Sequence, residues 1–432
     1  MKVLVIGSGS REHAIAWRLS QSPRVDKLLV APGNAGTAAI ATNLAVAATD
    51  IAALAQAVRD NGVDLTIVGP EIPLAEGIVD RFQELGLRIF GPTKAAAQIE
   101  ASKGFAKELM RRHGIPSADG LTFDTYTEAV RFIERHDAPL VVKADGLAAG
   151  KGVTVAATRE EALAALRSSM VERTFGAAGD RVVIEEYLEG REVSVFVFTD
   201  GEALSPVVAA CDYKRVYDGD QGPNTGGMGS YSPPEFWEPS LTKEIEQRIL
   251  QPTVQAMAQD GRAYRGVLYG GLIMTRQGPK VIEFNCRLGD PETQVIMPLL
   301  KTDLVDIVES VLEGNLTETP IQWSPEACVG VVIAAGGYPG EYQKGIAITG
   351  LNDVPEDIEV FHAGTKTSAN KGDSSPEVIT DGGRVLTVVG RGPSLAVARE
   401  RVYAAAQGIT FSGSFYRTDI ALRPGDITMA GR

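Results

Sequence analysis

A chain of 432 residues exceeds what one hydrophobic core supports and predicts two to four domains. Its 44% hydrophobic and 22% charged residues are the composition of a soluble globular protein. A net charge of −13 excludes a broad nucleic-acid or anionic-membrane surface, so any basic cluster is left to serve small anionic ligands.

The first segment, MKVLVIGSGS, reads as a strand and turn, since its apolar run is too short for a signal peptide and no cleavage site follows. Apolar runs at 3–6, 28–30, 65–68 and 88–90 alternate with helical patterns near 11–21, 51–61 and 74–86. That alternation predicts a parallel sheet with helices on its faces. GSGSREHA, at 7–14, fails as a dinucleotide turn. Glu12 stands where the third glycine of G-x-G-x-x-G belongs, and the second strand ends in Ala31-Pro32-Gly33 instead of an acidic ribose ligand. No nicotinamide cofactor is expected. The turn instead offers Arg11 and His13 as an anion site at a helix N-terminus. PGNAGTA at 32–38, carrying Asn34, and VGPE at 68–71 fall at the same sheet edge, so three loops form the expected ligand crevice.

Residues 93–113 read as helical, with Thr93 and Ser102 as caps and Gly114 and Pro116 as the stop; Lys103 follows the second cap. Residues 115–190 form a small α/β unit. Within it, apolar runs at 140–142 and 153–156 predict a hairpin with a glycine-rich turn. Gly146, Gly150 and Gly152 are expected to give that turn backbone angles closed to residues with a Cβ, so its N–H groups fold over an anion. Lys143 and Lys151 add charge. The turn is not a Walker A loop, because Gly152 and Val153 follow Lys151. Taken alone, the hairpin also reads as an ordinary loop with surface lysines. Helices are expected near 126–136 and 159–170. VVIEEYLEG at 182–190 and REVSVFVF at 191–198 leave one unit and enter another, a natural hinge whose backbone suits a purine edge.

Residues 205–235 read as irregular. Lys214 and Arg215 open a loop that contains Asn224 and a glycine-rich run to Gly229, a length unusual unless functional, and an anionic guest is expected. A helix near 240–259 precedes strands at 266–274 and 280–294. Glu283 and Asn285, two apart on a strand, share a face. One anionic and one neutral oxygen suit Mg²⁺, which takes further ligands from water and substrate phosphates. Arg287 continues that face where the strand persists and is placed to meet a transferring phosphoryl group, the alternative for Glu283 and Arg287 being a buried salt bridge. Residues 327–432 read as a compact α/β domain packed on the previous one, with a helix near 394–408. His362 there reads equally as structural or as a ligand contact. Cys211, Cys286 and Cys328 lack C-x-x-C spacing, which predicts reduced thiols and no zinc site. No apolar run approaches the ~18 residues of a membrane span, and the expected location is the cytoplasm. The chain ends soon after FYR at 415–417, so no fused downstream domain is expected.

Lys103, Lys143, the lid, the EEYL hinge and the Glu283/Asn285 pair, in this order, resemble the ATP-grasp enzymes. REHA, PGNAGT, GPTKAAAQ, KADGLAAGKG, GPNTGGMG, RLGDPE, HAGT and FYR extend the likeness over essentially the whole chain to the glycinamide ribonucleotide synthetase family (phosphoribosylamine–glycine ligases). RLGDPETQ with GPNTGGMG is its most specific pair. The resemblance implies an α/β multidomain, ATP-grasp fold. An N-terminal parallel-sheet domain would span 1–100 and an ATP-grasp domain 101–326, with a lid subdomain at about 115–190 and a small C-terminal α/β domain at 327–432.

The same resemblance implies that Lys103 and Lys143 bind ATP phosphates under the 146–152 lid, which includes Gly146, Gly150, Lys151 and Gly152. Backbone of Glu186 and Leu188 would hold the adenine, with Glu185 near its amino group and Glu192 on the ribose. Glu283 and Asn285 carry over as ligands of Mg²⁺ or Mn²⁺, and Arg287 and Lys143 as catalytic cations. Substrate contacts are expected from Arg11, Asn34, Lys214, Arg215, Asn224, Asp290 and Glu292. The implied reaction joins glycine to 5-phosphoribosylamine with ATP, through glycyl phosphate, in purine biosynthesis by a monomer. Two positions depart from the family pattern: Ser10, usually glycine, and Tyr213, often histidine. Strand 266–274 also lacks the further metal carboxylate of other ATP-grasp relatives, so few protein ligands per metal are expected. An ATP-binding protein without turnover is the rival reading, opposed by the presence of Lys143, Glu283, Asn285 and Arg287. A sister ligase for another carboxylate is opposed by GPNTGGMG with RLGDPE.

Overall fold

β1 (Lys2–Gly7) is the centre of the N-terminal sheet, and its side chains enter two different cores. Leu4 and Ile6 pack with Leu54 and Val58 of helix Ile51–Asn61, while Val3 and Val5 pack with Ile15 and Leu19 of helix Ser10–Ser20. Burial on both faces is why the run is continuously apolar. In this computed structural model, which describes residues 1–148, 152–368 and 377–422, β1 is joined by β2 (Lys27–Pro32), β3 (Thr42–Asn43), β4 (Leu65–Val68) and β5 (Ile89–Phe90). All pair in parallel, in the order β3-β2-β1-β4-β5. The order reverses at β1, so the loops after β1, β2 and β4 open the crevice read from the sequence. Two helical patterns are each divided. Gly77, at φ 97°, separates Glu71–Glu76 from Ile78–Glu84, and Ser102, extended at φ −135°, separates Lys94–Ala101 from Lys103–His113. Thr93 and Ser102 both cap as expected, accepting from Ala96 N and Phe105 N.

β6 (Gly120–Phe123), β7 (Leu140–Ala144), β8 (Val153–Ala156) and β9 (Val182–Glu186) make a small antiparallel sheet in the order β6-β9-β7-β8. Helices Tyr126–Arg135 and Arg159–Met170 cover the face carrying Leu140, Val142, Val182 and Ile184. The β7–β8 hairpin forms as read, with Leu140 opposite Ala156 and Lys143 opposite Val153. Gly150 and Lys151 lie outside the described residues. Gly146 does not have the left-handed backbone expected of it. Crowding is what requires glycine: a Cβ would stand 2.8 Å from the Ala178 Cβ at Gly146 and 2.8 Å from the Ala148 Cβ at Gly152.

Beyond the hinge the chain enters β10 (Arg191–Thr199) and β11 (Val208–Asp212), then the hairpin β12 (Arg215–Tyr217)–β13 (Gln221–Asn224) and β14 (Gly229–Ser232). The 205–235 segment is therefore not irregular. Its strands were hidden by glycines and polar residues, since β14 gains its buried place by pairing with partners on both sides. β15 (Gly266–Thr275), β16 (Gly278–Asn285), β17 (Ala327–Ala334) and β18 (Ile358–His362) follow, then the pair β19 (Thr365–Thr367)–β20 (Val378–Thr380) and β21 (Arg384–Gly392). One eight-stranded sheet runs β16-β15-β10-β11-β14-β17-β21-β18. The last segment thus continues the preceding sheet edge to edge through β14 and β17, and helix Leu395–Ala406 packs on it. No helix among the described residues is long and apolar enough to cross a membrane.

Candidate active site

Between the small sheet and β16 lies a cluster of buried charge. Ser102 starts helix Lys103–His113 beside the end of β7, where Asp145 accepts from Gly104 N at 2.5 Å and from Ser102 Oγ at 3.1 Å. That anchoring directs Lys103 Nζ to Gly146 O, 3.1 Å away. Lys143, buried on β7, lies 2.6 Å from Glu185 Oε2 and donates to Ile282 O at 3.0 Å. Lys107 lies 2.6 Å from Glu185 Oε1 and donates to Ala118 O at 2.6 Å. Burial lowers the pKa of Lys103 and Lys107. Burial opposes ionisation of Glu185, but Lys143 and Lys107 hold its carboxyl below the usual range. Sequence reasoning missed Asp145 and Lys107. An acid directly after a strand, and a lysine one helical turn beyond Lys103, were the available signals.

The open face of the small sheet carries Val141, Lys143 and Glu185, with Val155 half exposed beside Val141. An apolar wall next to charge suits a base and its phosphates. Segment 187–190, including half-buried Leu188, joins the two sheets as the hinge was read. The Glu186 amide already donates to Asp119 O at 2.8 Å, and its carboxylate meets Asp119 N and Lys280.

On β16 a bulge brings Glu283 opposite Gly271 while Val281 opposes Leu272, leaving Ile282 unpaired with its carbonyl turned to Lys143. Glu283 and Asn285 have no side-chain hydrogen bond or ion pair among the described residues. Burial opposes the Glu283 charge, yet Lys214, Lys143, Lys103 and Arg287 hold its pKa below the ordinary value. Ionised and unpartnered oxygens of this kind fit a hard cation that takes its other ligands from phosphates and water. Among the described residues no group of three or more His, Cys, Asp or Glu could hold a metal unaided.

Arg287 does not extend that open face as a free cation. Glu71 takes its Nε at 3.1 Å and Glu100 its Nη2 at 2.8 Å, while Glu100 also accepts from Cys286 N at 2.7 Å. Glu192 is paired with Lys214 at 2.7 Å, and Glu292 accepts from Ser194 Oγ at 2.8 Å and Tyr269 OH at 3.2 Å. Asp212, at the end of β11, was not foreseen. Burial pushes its carboxyl up to about 7; Lys214 opposes the shift, and Glu292, Glu192 and Glu283 add to it. Its signal was a lone acid closing an apolar strand.

Asp290 meets Arg384 at 3.0 Å and Gln294 at 2.8 Å. Arg384 also donates to Gly226 O at 2.6 Å, tying the glycine-rich loop to the Asp290 turn. Arg215 and Asn224 face each other across β12–β13 and are exposed, with Arg215 donating to Gly222 O at 2.7 Å.

The crevice at β1, β2 and β4 is more closed than the sequence implied. Arg11 Nε is 2.6 Å from Glu12 Oε1, and Nη1 donates to Leu288 O at 3.2 Å. Glu12 also takes Gly9 N at 2.7 Å and fills the space over Gly7 and Gly69, so the place of a dinucleotide pyrophosphate is occupied by a carboxylate. Asn34 donates to Ser8 O at 2.9 Å and His362 O at 2.7 Å and accepts from Gly36 N and Thr37 N. His13 is not an anion ligand. It accepts from His362 N at 2.8 Å, and burial with the neighbouring His362 lowers its pKa to about 3.

Models of phosphoribosylglycinamide synthetase match most of the chain: the N domain over 1–100, the ATP-grasp (A) domain over 101–293 and the C domain over 328–423. The chain belongs to this family. It is 51% identical over 421 residues to a phosphoribosylamine–glycine ligase of Halalkalibacterium halodurans, covering 97% of this chain and 96% of that protein. A phosphoribosylamine–glycine ligase of Escherichia coli O157:H7 is 50% identical over 427 residues, covering 98% of each. The crystal structure of the Thermotoga maritima phosphoribosylamine–glycine ligase superposes with a TM-score of 0.84 at 34% identity, covering 97% of this chain and all of that one. A biotin carboxylase domain from Hydrogenobacter thermophilus shares the fold at 18% identity and TM-score 0.70, over 96% of this chain and 91% of that one.

Both departures from the family pattern face the last domain. Ser10 Oγ lies 2.9 Å from Thr387 Oγ1, and Tyr213 OH accepts from Ala421 N at 3.0 Å with Arg417 over its ring at 4.7 Å. Their hydroxyls meet protein partners.

Proposed function

We propose that this family member ligates glycine to 5-phosphoribosylamine, giving glycinamide ribonucleotide, ADP and phosphate in de novo purine biosynthesis. Relatives of that name, half identical over nearly the whole chain, support the choice of substrates. The observation that carries the chemistry is the unpartnered Glu283/Asn285 pair beside Lys103 and Lys143.

A carboxylate is a poor acyl donor, so glycine first takes the γ-phosphoryl group of ATP, leaving ADP and forming glycyl phosphate. The phosphoribosylamine nitrogen then attacks the acyl carbon, forming the amide and expelling phosphate. Lys103 and Lys143 bind the phosphates beneath the hairpin that carries Gly146, Gly150, Lys151 and Gly152. Val141 and Val155 form the wall for the adenine, and the hinge backbone at Glu186 and Leu188 meets its edge. Glu185 and Glu192 stand at the amino group and the ribose. Glu283 and Asn285 are the residues that would hold Mg²⁺ or Mn²⁺, which supplies charge neutralisation at the phosphates when bound. Arg287, fixed by Glu71 and Glu100, adds a cation of set orientation, and catalysis is mainly positional and electrostatic.

Lys214, Arg215, Asn224, Asp290 and Glu292 line the side where phosphoribosylamine and glycine enter. Arg11 and Asn34, bound within the protein, act by shaping that side. The protein works as a cytoplasmic monomer. ADP release from Mg-ATP tests the reading: it should require both glycine and freshly generated phosphoribosylamine. Release with neither co-substrate, or none with both, would refute it.

A further inference from the structure

Lys107 has no place in the chemistry above, yet it is as deeply buried as the groups that do: Lys107 is 6% exposed, Glu185 5% and Lys143 5%. The Glu185 carboxylate is shared, with Oε1 2.6 Å from Lys107 and Oε2 2.6 Å from Lys143. Lys107 is fixed from behind by Ala118 O at 2.6 Å, whereas Lys143 sits at the open face of the small sheet. Two cations and one anion leave the group with a net positive charge. An ammonium has three N–H donors, and Glu185 and Ile282 O account for two of those on Lys143.

We propose that Lys107 is a positioning residue for nucleotide binding: it holds Glu185 permanently, so that Lys143 is released to the ATP phosphates without abandoning a buried carboxylate. This rests on the reading of Lys143 as a phosphate ligand. A buried ion pair resists losing one partner, because the remaining charge is left uncompensated in a medium that solvates it poorly. A lone Glu185–Lys143 pair would offer an incoming triphosphate no net charge and would oppose the movement of Lys143. With Lys107 in place, the carboxylate stays neutralised whichever way Lys143 turns. The same geometry explains why a carboxylate is tolerated next to a site for polyphosphate.

The test measures Mg-ATP binding by calorimetry, without glycine, on the full chain. Lys107→Met should raise the Kd at least about tenfold, equivalent to roughly 1.4 kcal/mol. Adding Glu185→Gln to it, which keeps an acceptor oxygen for the adenine amino group, should lower the Kd at least about threefold from that of the single variant, because no buried anion then competes for Lys143. A purely structural tie would instead give a double variant as weak as the single one, and that result overturns the proposal. If Lys107→Met fails to fold, Lys107→Gln, which keeps a donor for Ala118 O and loses the charge beside Glu185, decides: about tenfold weaker binding supports the proposal, and unchanged binding overturns it. Wild-type protein that binds Mg-ATP while Lys107→Met matches it removes this inference only. Wild-type protein that binds no Mg-ATP removes the phosphate reading beneath it.

Discussion

At the carboxyl edge of β1, β2 and β4 the buried polar side chains are paired within the protein: Arg11 is bound by Glu12 and Leu288 O, and Asn34 makes four hydrogen bonds to Ser8, His362, Gly36 and Thr37. On β16, by contrast, Glu283 and Asn285 are nearly as enclosed and have no protein partner among the described residues, although four cations act on Glu283. Both regions have loops or strands rich in polar residues at a sheet edge. The first uses them to join domains, and the second leaves them open. Buried polar groups are ordinarily satisfied, so the unsatisfied ones mark where a ligand belongs.

Substitutions at the two regions should therefore separate activity from stability. Glu283→Gln keeps the side-chain shape and removes the charge that Lys214, Lys143 and Lys103 surround. Turnover should fall by about 10²–10³, while the thermal midpoint stays close to wild type. ADP release and calorimetry on the same preparation check this, and near-normal ADP release would end the metal assignment. Asn34→Ala should do the reverse. Losing the bonds to Ser8, His362, Gly36 and Thr37 leaves several buried backbone groups unpaired, at a cost of about 2–4 kcal/mol. Activity per folded molecule should change far less; a large loss without destabilisation would make Asn34 a direct substrate contact.

Much of this division was hidden in the sequence. The alternation of apolar runs and helical periods was enough for the N-terminal sheet, because β1 is buried on both faces and is apolar throughout. Two-residue spacing put Glu283 and Asn285 together, although the bulge at Ile282 that aims a carbonyl at Lys143 has no sequence mark. β11 and β14 were not legible, since their place comes from neighbours far along the chain and not from local pattern. For Arg287 the sequence left a phosphoryl contact and a buried salt bridge open and did not name the partners, because Glu71 and Glu100, which take it, lie some two hundred residues away.

A smaller effect concerns pH. Burial, against the pull of Lys214 and with the help of Glu292, Glu192 and Glu283, raises the Asp212 carboxyl from an ordinary 3.8 to about 7. Between those values the folded protein holds a proton that the unfolded chain has lost. The stabilisation from this group is therefore full below pH 3.8 and is lost as pH rises towards about 7. One proton can contribute a slope of at most about 1.4 kcal/mol per pH unit. Asp212→Asn should flatten the stability profile of nucleotide-free, metal-free protein across that window. A profile with the same slope in the variant would place the titration elsewhere.

The smallest expected change is at the lid, and it sharpens the contrast between a glycine required by conformation and one required by space. Gly146 has no left-handed backbone, yet a Cβ there would lie 2.8 Å from the Ala178 Cβ and 2.9 Å from its Cα. Those are backbone-anchored atoms that cannot swing aside as a flexible side chain would. Gly146→Ala must therefore push the end of β7 away from segment Gly176–Gly179, at a cost of roughly 1–2 kcal/mol. Because Lys103 Nζ binds Gly146 O, the displacement should be felt at the phosphate site as a modestly raised Kd for Mg-ATP. Gly176 faces open space and has φ 58°, so Gly176→Ala strains only the backbone and should cost stability without changing that Kd. Equal effects of the two substitutions on Mg-ATP binding would mean that the contact with Ala178 does not set the position of Lys103.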